Sequence, residues 1–246
     1  MEIPSSHPRK ASLDLRHRLT DGLEKGFVTQ AGLIAHGRGE AFDYLLGEES
    51  SVEAKRAEKA AAAMLLAAEN PVISVNGNAA ALCPGGLVAL ADAVGARLEV
   101  NLYYRTRERQ EMIRDILLKA GASRVYGVGV EDKTIPGLDS ERGKADKAIL
   151  EADAVLLMIE DGDRTERLAA MGKDVIAVDL NPLSRTSQKA TITIVDNLAR
   201  ALPNMIGYAQ ELKGKDKKKL RKLAHSFDNR KNLKKMEKLI RKGFRP

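Results

Sequence analysis

The hydrophobic pattern changes period twice along the chain. Up to residue 70 apolar residues recur at helical spacing. Leu15, Leu19 and Leu23 share one face, with Ser12 placed to cap that helix and Gly26 near its end. The glycine-punctuated stretch Ala31 to Glu40 interrupts the pattern, and Ala41 to Leu46 resumes it. Ser51 then opens a long Ala-rich helix. That helix is predicted to end near Asn70-Pro71, because proline disfavours helix in the residue before it. Beyond Pro71 short β-type runs take over: Val72–Val75, Arg97–Tyr103, Arg124–Val128, Ala154–Ile159, Asp174–Val178 and Ala190–Val195. Helical stretches around Leu87–Val94, Glu108–Lys119, Lys144–Leu150 and Thr165–Met171 separate the earlier ones. Near-continuous apolar strands alternating with helices predict a mostly parallel sheet covered on both faces. The last run follows its predecessor without a full helix, which leaves its direction open. Helical spacing returns from Asn197 to Leu212 and continues in the tail through Leu220, Leu223, Phe227, Leu233, Met236, Leu239 and Ile240.

This is an α/β pattern with helical N-terminal and C-terminal segments. The expected division is one α/β domain over residues 1–212 and a basic helical tail over 213–246 packed on it. Aromatic residues are only 4% and Trp is absent, so the core is aliphatic. Cys83 is the only cysteine. It excludes an intramolecular disulfide and suits a reducing compartment. No apolar signal segment opens the chain and no stretch is long and apolar enough to span a bilayer, so the expected location is the cytoplasm. The net charge of +7 is unevenly spread. Residues 213–246 hold 15 Lys and Arg against 3 Asp and Glu, while the remainder holds 26 against 31. The basicity therefore belongs to the tail. Its lack of interleaved aromatics argues against a nucleic-acid stacking platform, and a solvated helix face is the simpler reading.

Ligands of open α/β sheets bind outside the carboxyl ends of the strands. All the loops at those ends are polar. Asn76-Gly77-Asn78 suits a backbone approach to phosphate or a tight strand-to-helix turn. Asn101 and Arg105 follow the second run. Glu160, Asp161 and Asp163 suit Mg²⁺ or the positive end of a helix. Asp179 suits ribose hydroxyls, and Arg185-Thr186 offers a guanidinium and a hydroxyl to phosphates. Asn197 follows the last run. Upstream, Gly37-Arg38-Gly39 sets an Arg before a predicted helix, a geometry for phosphate capture. The four histidines lack zinc spacing. Gly127-Val-Gly129 lacks the third glycine of a dinucleotide fingerprint, since Asp132 occupies that position, and there is no P-loop. The residues alone lead to an α/β protein that binds a small anionic, phosphorylated ligand.

Longer segments resemble a family. Ser6–Arg9, Gly32–Tyr44, Pro71–Asn78, Glu99–Leu102, Glu160–Thr165, Asp179–Thr186 and Phe227–Asn229 are similar, in order, to archaeal phosphopantothenate synthetases, the 4-phosphopantoate–β-alanine ligases. The resemblance implies a Rossmann-like fold, a homodimer and an ATP-dependent ligase of coenzyme A synthesis that releases AMP and diphosphate; stabilising the in-line phosphoryl centre of such a reaction normally calls for Mg²⁺. It implies ATP contacts at Arg16, Arg38, Asp179, Leu180, Asn181, Arg185, Thr186, Asn197 and Leu198. Contacts to 4-phosphopantoate and β-alanine are not implied, and Asn76, Asn78, Asn101, Arg105, Glu160, Asp161 and Asp163 stand as candidates. The alternatives are a kinase of a small acid, which would release ADP, and a nucleic-acid-binding protein acting through the tail.

Overall fold

Pro71 ends the helical third of the chain and is itself the first residue of a strand. In the computed structural model β1 (Pro71–Val75), β2 (Arg97–Val100), β3 (Val125–Tyr126), β4 (Ala154–Met158), β5 (Asp174–Val178) and β6 (Ile192–Ile194) form one sheet. Residues 3–130, 133–138 and 141–243 are described, so Asp132 and the last three residues of the tail lie outside the described residues. The strand order is β3-β2-β1-β4-β5-β6, and every neighbouring pair is parallel. This order is that of a Rossmann-like sheet, with its reversal between β1 and β4. The direction of β6, open from the pattern, is settled as parallel. The short helix α9 (Arg185–Lys189) is all its crossover requires.

Alternation along the central strands supplies two apolar faces. Ile73, Leu156, Ile176 and Ile192 join one cluster with residues of α3 (Val52–Ala67), α5 (Pro84–Val94) and α10 (Leu198–Leu212). Val72, Val155, Leu157 and Val175 join the other with Ile149 of α7 (Lys147–Glu151) and Leu168 of α8 (Gly162–Ala170). Six fully or nearly fully buried alanines of α3, from Ala54 to Ala63, let that helix lie close to its neighbours. Ser51 caps α3 by accepting from the Ala54 N–H at 3.0 Å, as its position in the sequence predicts.

Three local expectations need correction. The first helix, α1 (Lys10–Glu24), is preceded by Arg9 at its N-cap, and Ser12 instead donates its hydroxyl back to the Arg9 carbonyl. The third predicted strand shrinks to the two residues of β3. The glycine-rich stretch is a continuous helix, α2 (Gln30–Leu45), so Arg38 sits mid-helix rather than before one. Glycines inside a helix cost about 1 kcal/mol each relative to Ala. Close packing offsets that cost here. A Cβ at Gly32 would stand 2.5 Å from Asn78 Oδ1, and one at Gly39 would stand 3.4 Å from Leu180.

The tail forms α11 (Lys217–His225) and α12 (Asn229–Lys242). Leu220 and Ala224 enter the main core. Asn229 ties the tail to the sheet edge: its Oδ1 accepts from the Thr193 N–H at 2.8 Å, and its Nδ2 donates to the carbonyls of Ser187 (3.1 Å) and Ala190 (3.0 Å). Lys218, Lys219 and Lys222 are exposed.

Helix α3 itself carries a costly group. Glu58 is fully buried, and neither carboxyl oxygen meets a partner at full hydrogen-bond geometry. Burial, with the charge of Asp196 beside it, pushes its carboxyl up to about 8 from an ordinary 4.5. The folded chain therefore holds this proton more tightly than the unfolded chain, and stability from it is lost as pH rises from about 4.5 to about 8. Glu58→Gln, which mimics the neutral acid, should melt at least about 3 °C above the parent at pH 9 and close to it at pH 5. Thermal unfolding at the two pH values checks this. Asn229→Ala should cost about 1–3 kcal/mol by stranding the Thr193 N–H and the Ala190 carbonyl; the Ser187 carbonyl keeps the Thr193 hydroxyl at 2.7 Å. Gln at Lys218, Lys219 and Lys222 together should leave the same unfolding curve unchanged.

Candidate functional site

Because all strands run one way, the polar loops that follow β1, β2, β4, β5 and β6 converge on one edge. They line a cavity of about 700 Å³, closed on one side by α2. Its size is that of a site for a nucleotide or a small organic acid.

Asn76 holds the centre. It caps α4 (Gly77–Leu82), its Oδ1 accepting from the Ala79 N–H at 3.0 Å, so the turn reading of the Asn-Gly-Asn segment applies. Its Nδ2 donates across the β1–β4 seam to the carbonyls of Met158 (2.7 Å) and Ile159 (3.3 Å). Ile159 has φ +50°, a left-handed backbone that a β-branched residue rarely adopts. The turn it makes starts the Glu160-Asp161 loop. Such strain persists where surrounding bonds impose it, often at functional sites.

Glu160 and Asn101 meet through Arg164, which is 2% exposed. Arg164 Nη1 donates to Asn101 Oδ1 at 3.1 Å and pairs with Glu160 at 3.6 Å. Behind them Glu99, fully buried, accepts from the N–H groups of Asp146 and Ile149, both at 2.8 Å. Burial pushes its carboxyl up to about 7 against those two donors.

On the other half, Asp179 is drawn in two directions. Burial raises its carboxyl, while the Ser184 hydroxyl, the Asn181 N–H and the positive charge of Arg38 lower it. Its Oδ1 accepts from the Asn181 N–H at 2.9 Å. Thr186 donates its hydroxyl to the Glu160 carbonyl at 2.8 Å, joining the β4 and β5 loops. Asn197 caps α10, and its Nδ2 reaches Asp43 at 3.1 Å. Asp43 and Asp196 are both paired with Arg200.

Of the residues singled out from the sequence, Arg38, Asp179, Leu180, Asn181, Arg185, Thr186, Asn197 and Leu198 line this cavity, as do Asn76, Asn78, Asn101, Glu160 and Asp161. Three do not. Arg16 faces α2, where it pairs with Glu40 at 2.9 Å and donates to the Tyr44 hydroxyl. Arg105 is a loop clamp, donating to the carbonyls of Val130 and Lys144. Asp163 pairs with Arg142 and Arg185. Its role follows from helix geometry: Asp161 caps α8 and Asp163 lies in the first turn.

The carboxylates also bear on Mg²⁺. Among the described residues no group of three or more His, Cys, Asp or Glu could hold a metal ion. Glu160 is paired with Arg164, Asp161 with Arg142, and Asp163 with Arg142 and Arg185. These residues do not make a cage for Mg²⁺, which in such sites usually rides on substrate phosphates.

Sequence reading missed His36, Tyr103, Tyr104, Arg109 and Asp196, which also line the cavity. His36 is shifted down, mainly by burial. Asp196 was legible as a strand-end residue. Arg109 lies beyond the loops that the topology rule selects.

The family model for phosphopantothenate/pantothenate synthetase matches residues 53–243. A curated 4-phosphopantoate–β-alanine ligase of Thermococcus kodakarensis is 52% identical over 235 residues, covering 95% of this chain and 90% of that protein. The ligase of the same name from Methanosarcina mazei is 52% identical over 232 residues, covering 94% of this chain and 91% of its own. With the family model covering most of the chain and these relatives 52% identical over nearly its whole length, the chain belongs to the phosphopantothenate/pantothenate synthetase family.

Proposed function

We propose that this chain joins 4-phosphopantoate to β-alanine, using ATP and releasing AMP and diphosphate. The observation that carries the reading is its identity, along nearly its whole length, with proteins named for that ligation. The cavity supports it in its size and in the convergence of Arg, Asn and carboxylate groups at the strand ends.

ATP lies, in this reading, over the β5–β6 half. Asp179 is set to accept from ribose hydroxyls. Leu180 and Leu198 give apolar contact, and Asn181, Asn197 and Thr186 give polar contact. Arg38 has open donors for phosphate, whereas Arg185 is engaged by Asp163 and Glu166 and must exchange a partner to contribute. Arg16 acts from outside the cavity, through Glu40. Mg²⁺ would neutralise charge on the triphosphate, and no step is assigned to it.

The chemistry follows from the weak electrophilicity of a carboxylate. The acid's carboxylate oxygen attacks the α-phosphorus of ATP, and diphosphate leaves, giving a phosphopantoyl adenylate. The uncharged amine of β-alanine attacks the acyl carbon. AMP leaves, and the nitrogen loses its proton as the amide forms. The protein positions the reactants and stabilises charge at the in-line phosphorus. The same reading includes a cytoplasmic homodimer. Exposed Ile34, Tyr44 and Leu45 of α2 offer apolar surface for a second copy. Among the described residues no helix is long and apolar enough to cross a membrane.

Incubated with ATP, Mg²⁺, 4-phosphopantoate and β-alanine, the protein should yield phosphopantothenate and AMP in equal amounts, read by chromatography. ADP in place of AMP would favour the small-acid kinase instead. Arg38→Ala should lower kcat/KM for ATP by roughly tenfold or more, the loss expected for one charge-assisted phosphate contact. Its unfolding curve should match the parent, because Arg38 is exposed. Unchanged kinetics would remove Arg38 from the nucleotide site.

A further inference from the structure

The ligase reading leaves open where the phosphate of the acid goes. A phosphate dianion in a part-buried cavity needs a cation without a resident counter-charge. Among the described residues that line the cavity, the Arg and Lys side chains are Arg38, Arg109 and Arg185. Arg185 is held by Asp163 and Glu166. Arg38 stands at the nucleotide end: its neighbour Gly39 packs on Leu180, and its charge acts on Asp179. Arg109 differs from both.

Arg109 belongs to α6 (Arg107–Lys119) and reaches back to the β1 end of the cavity. Nη2 donates to the Phe27 carbonyl at 2.9 Å, and Nη1 donates to the Tyr104 carbonyl. Two neutral carbonyls fix the plane of the guanidinium without neutralising it. Nε is buried and has no partner. Burial pulls the pKa of the group down, and no carboxylate offsets that pull. The neighbouring Arg105, by contrast, has Glu141 and Glu99 opposing the same effect. Each Nη of Arg109 keeps a second N–H. Gly77 lets the backbone turn come near: a Cβ there would stand 2.3 Å from the Phe27 carbonyl oxygen and 3.4 Å from Arg109 Nη2.

We propose that Arg109 anchors the phosphate of the acid substrate and so selects the phosphorylated acid over the unphosphorylated one; this rests on the ligase reading above. Carboxylate and phosphate lie at opposite ends of the acid. β1 and β5 are two strand spacings apart, roughly 10 Å. A phosphate at Arg109 beside β1 therefore directs the carboxylate across the β1–β4 seam, towards ATP over β5 and β6. Pantoate without its phosphate would leave the half-buried guanidinium without a counter-charge, which is a penalty against that analogue.

The test compares kcat/KM for 4-phosphopantoate and for pantoate in the parent, in Arg109→Gln and in Arg109→Lys, with ATP binding measured separately by titration. Arg109→Gln should shrink the preference for the phosphorylated acid by roughly tenfold or more, with Kd for ATP unchanged. Arg109→Lys, which keeps the charge, should retain more of the preference than Gln. If Arg109 only clamps the two carbonyls, both substrates lose equally and the ratio stands; that result would overturn the proposal. A parent enzyme that makes no phosphopantothenate defeats the ligase reading itself. Calorimetry with 4-phosphopantoate then decides Arg109 alone: binding weakened in Arg109→Gln upholds the anion site, and unchanged or absent binding overturns it.

Discussion

The side chain of Asn76 touches three elements at once. It caps α4, and its amide donates to two successive carbonyls at the end of β4. Those bonds cross the one seam in the sheet where neighbouring strands send their crossovers to opposite faces. They also hold Ile159 in its left-handed conformation, which turns Glu160 and Asp161 along the cavity wall. From Glu160 the bonding spreads both ways, through Arg164 to Asn101 and Glu99, and through its carbonyl to Thr186. The β2, β4 and β5 loops are thus fixed relative to β1 by short polar contacts. A site that must bring two anions together benefits from such rigidity, since misplacement of the reacting groups is costly in rate.

Charge is distributed so that the walls are largely neutralised before any ligand arrives. Arg164, Arg185 and Arg200 each face at least one carboxylate. Asp43 and Asp196 share Arg200, and burial pushes the Glu58 carboxyl behind them well above the usual carboxylate range. Against this background two guanidiniums differ, one at each end. Arg38 is exposed on α2, and Arg109 is held only by carbonyls. Two unneutralised cations at opposite ends fit two phosphorylated substrates better than they fit one.

The sheet was legible because its central strands are buried on both faces and so read as continuous apolar runs: Val72–Val75, Ala154–Ile159 and Asp174–Val178 match β1, β4 and β5 within a residue. The topology rule then selected the loops that line the cavity. Helix α2 was misread because Gly32 and Gly39 look like breaks in the sequence. Their value is the proximity of Asn78 and Leu180, which are distant along the chain. Arg105 was chosen and Arg109 overlooked for a related reason. Both follow β2, and what separates them is which carbonyls and carboxylates surround each guanidinium. Arg16 was chosen only on the family resemblance, and its hydrogen bonds run to Glu40 and Tyr44 of α2, outside the cavity. The tail was read as packed on the α/β domain, but its spacing could not show where: Asn229 ties it to Ser187, just after Arg185-Thr186.

The central claim is that one cavity holds nucleotide and phosphorylated acid on opposite sides of the β1–β4 seam. A crystal structure with 4-phosphopantoate and a non-hydrolysable ATP analogue tests it most directly. The account predicts the ribose beside Asp179 and the acid between Asn76 and Arg109, with its carboxylate facing the α-phosphate. Nucleotide bound outside this cavity, or lying over β1 and β2 with the acid over β5, would contradict it.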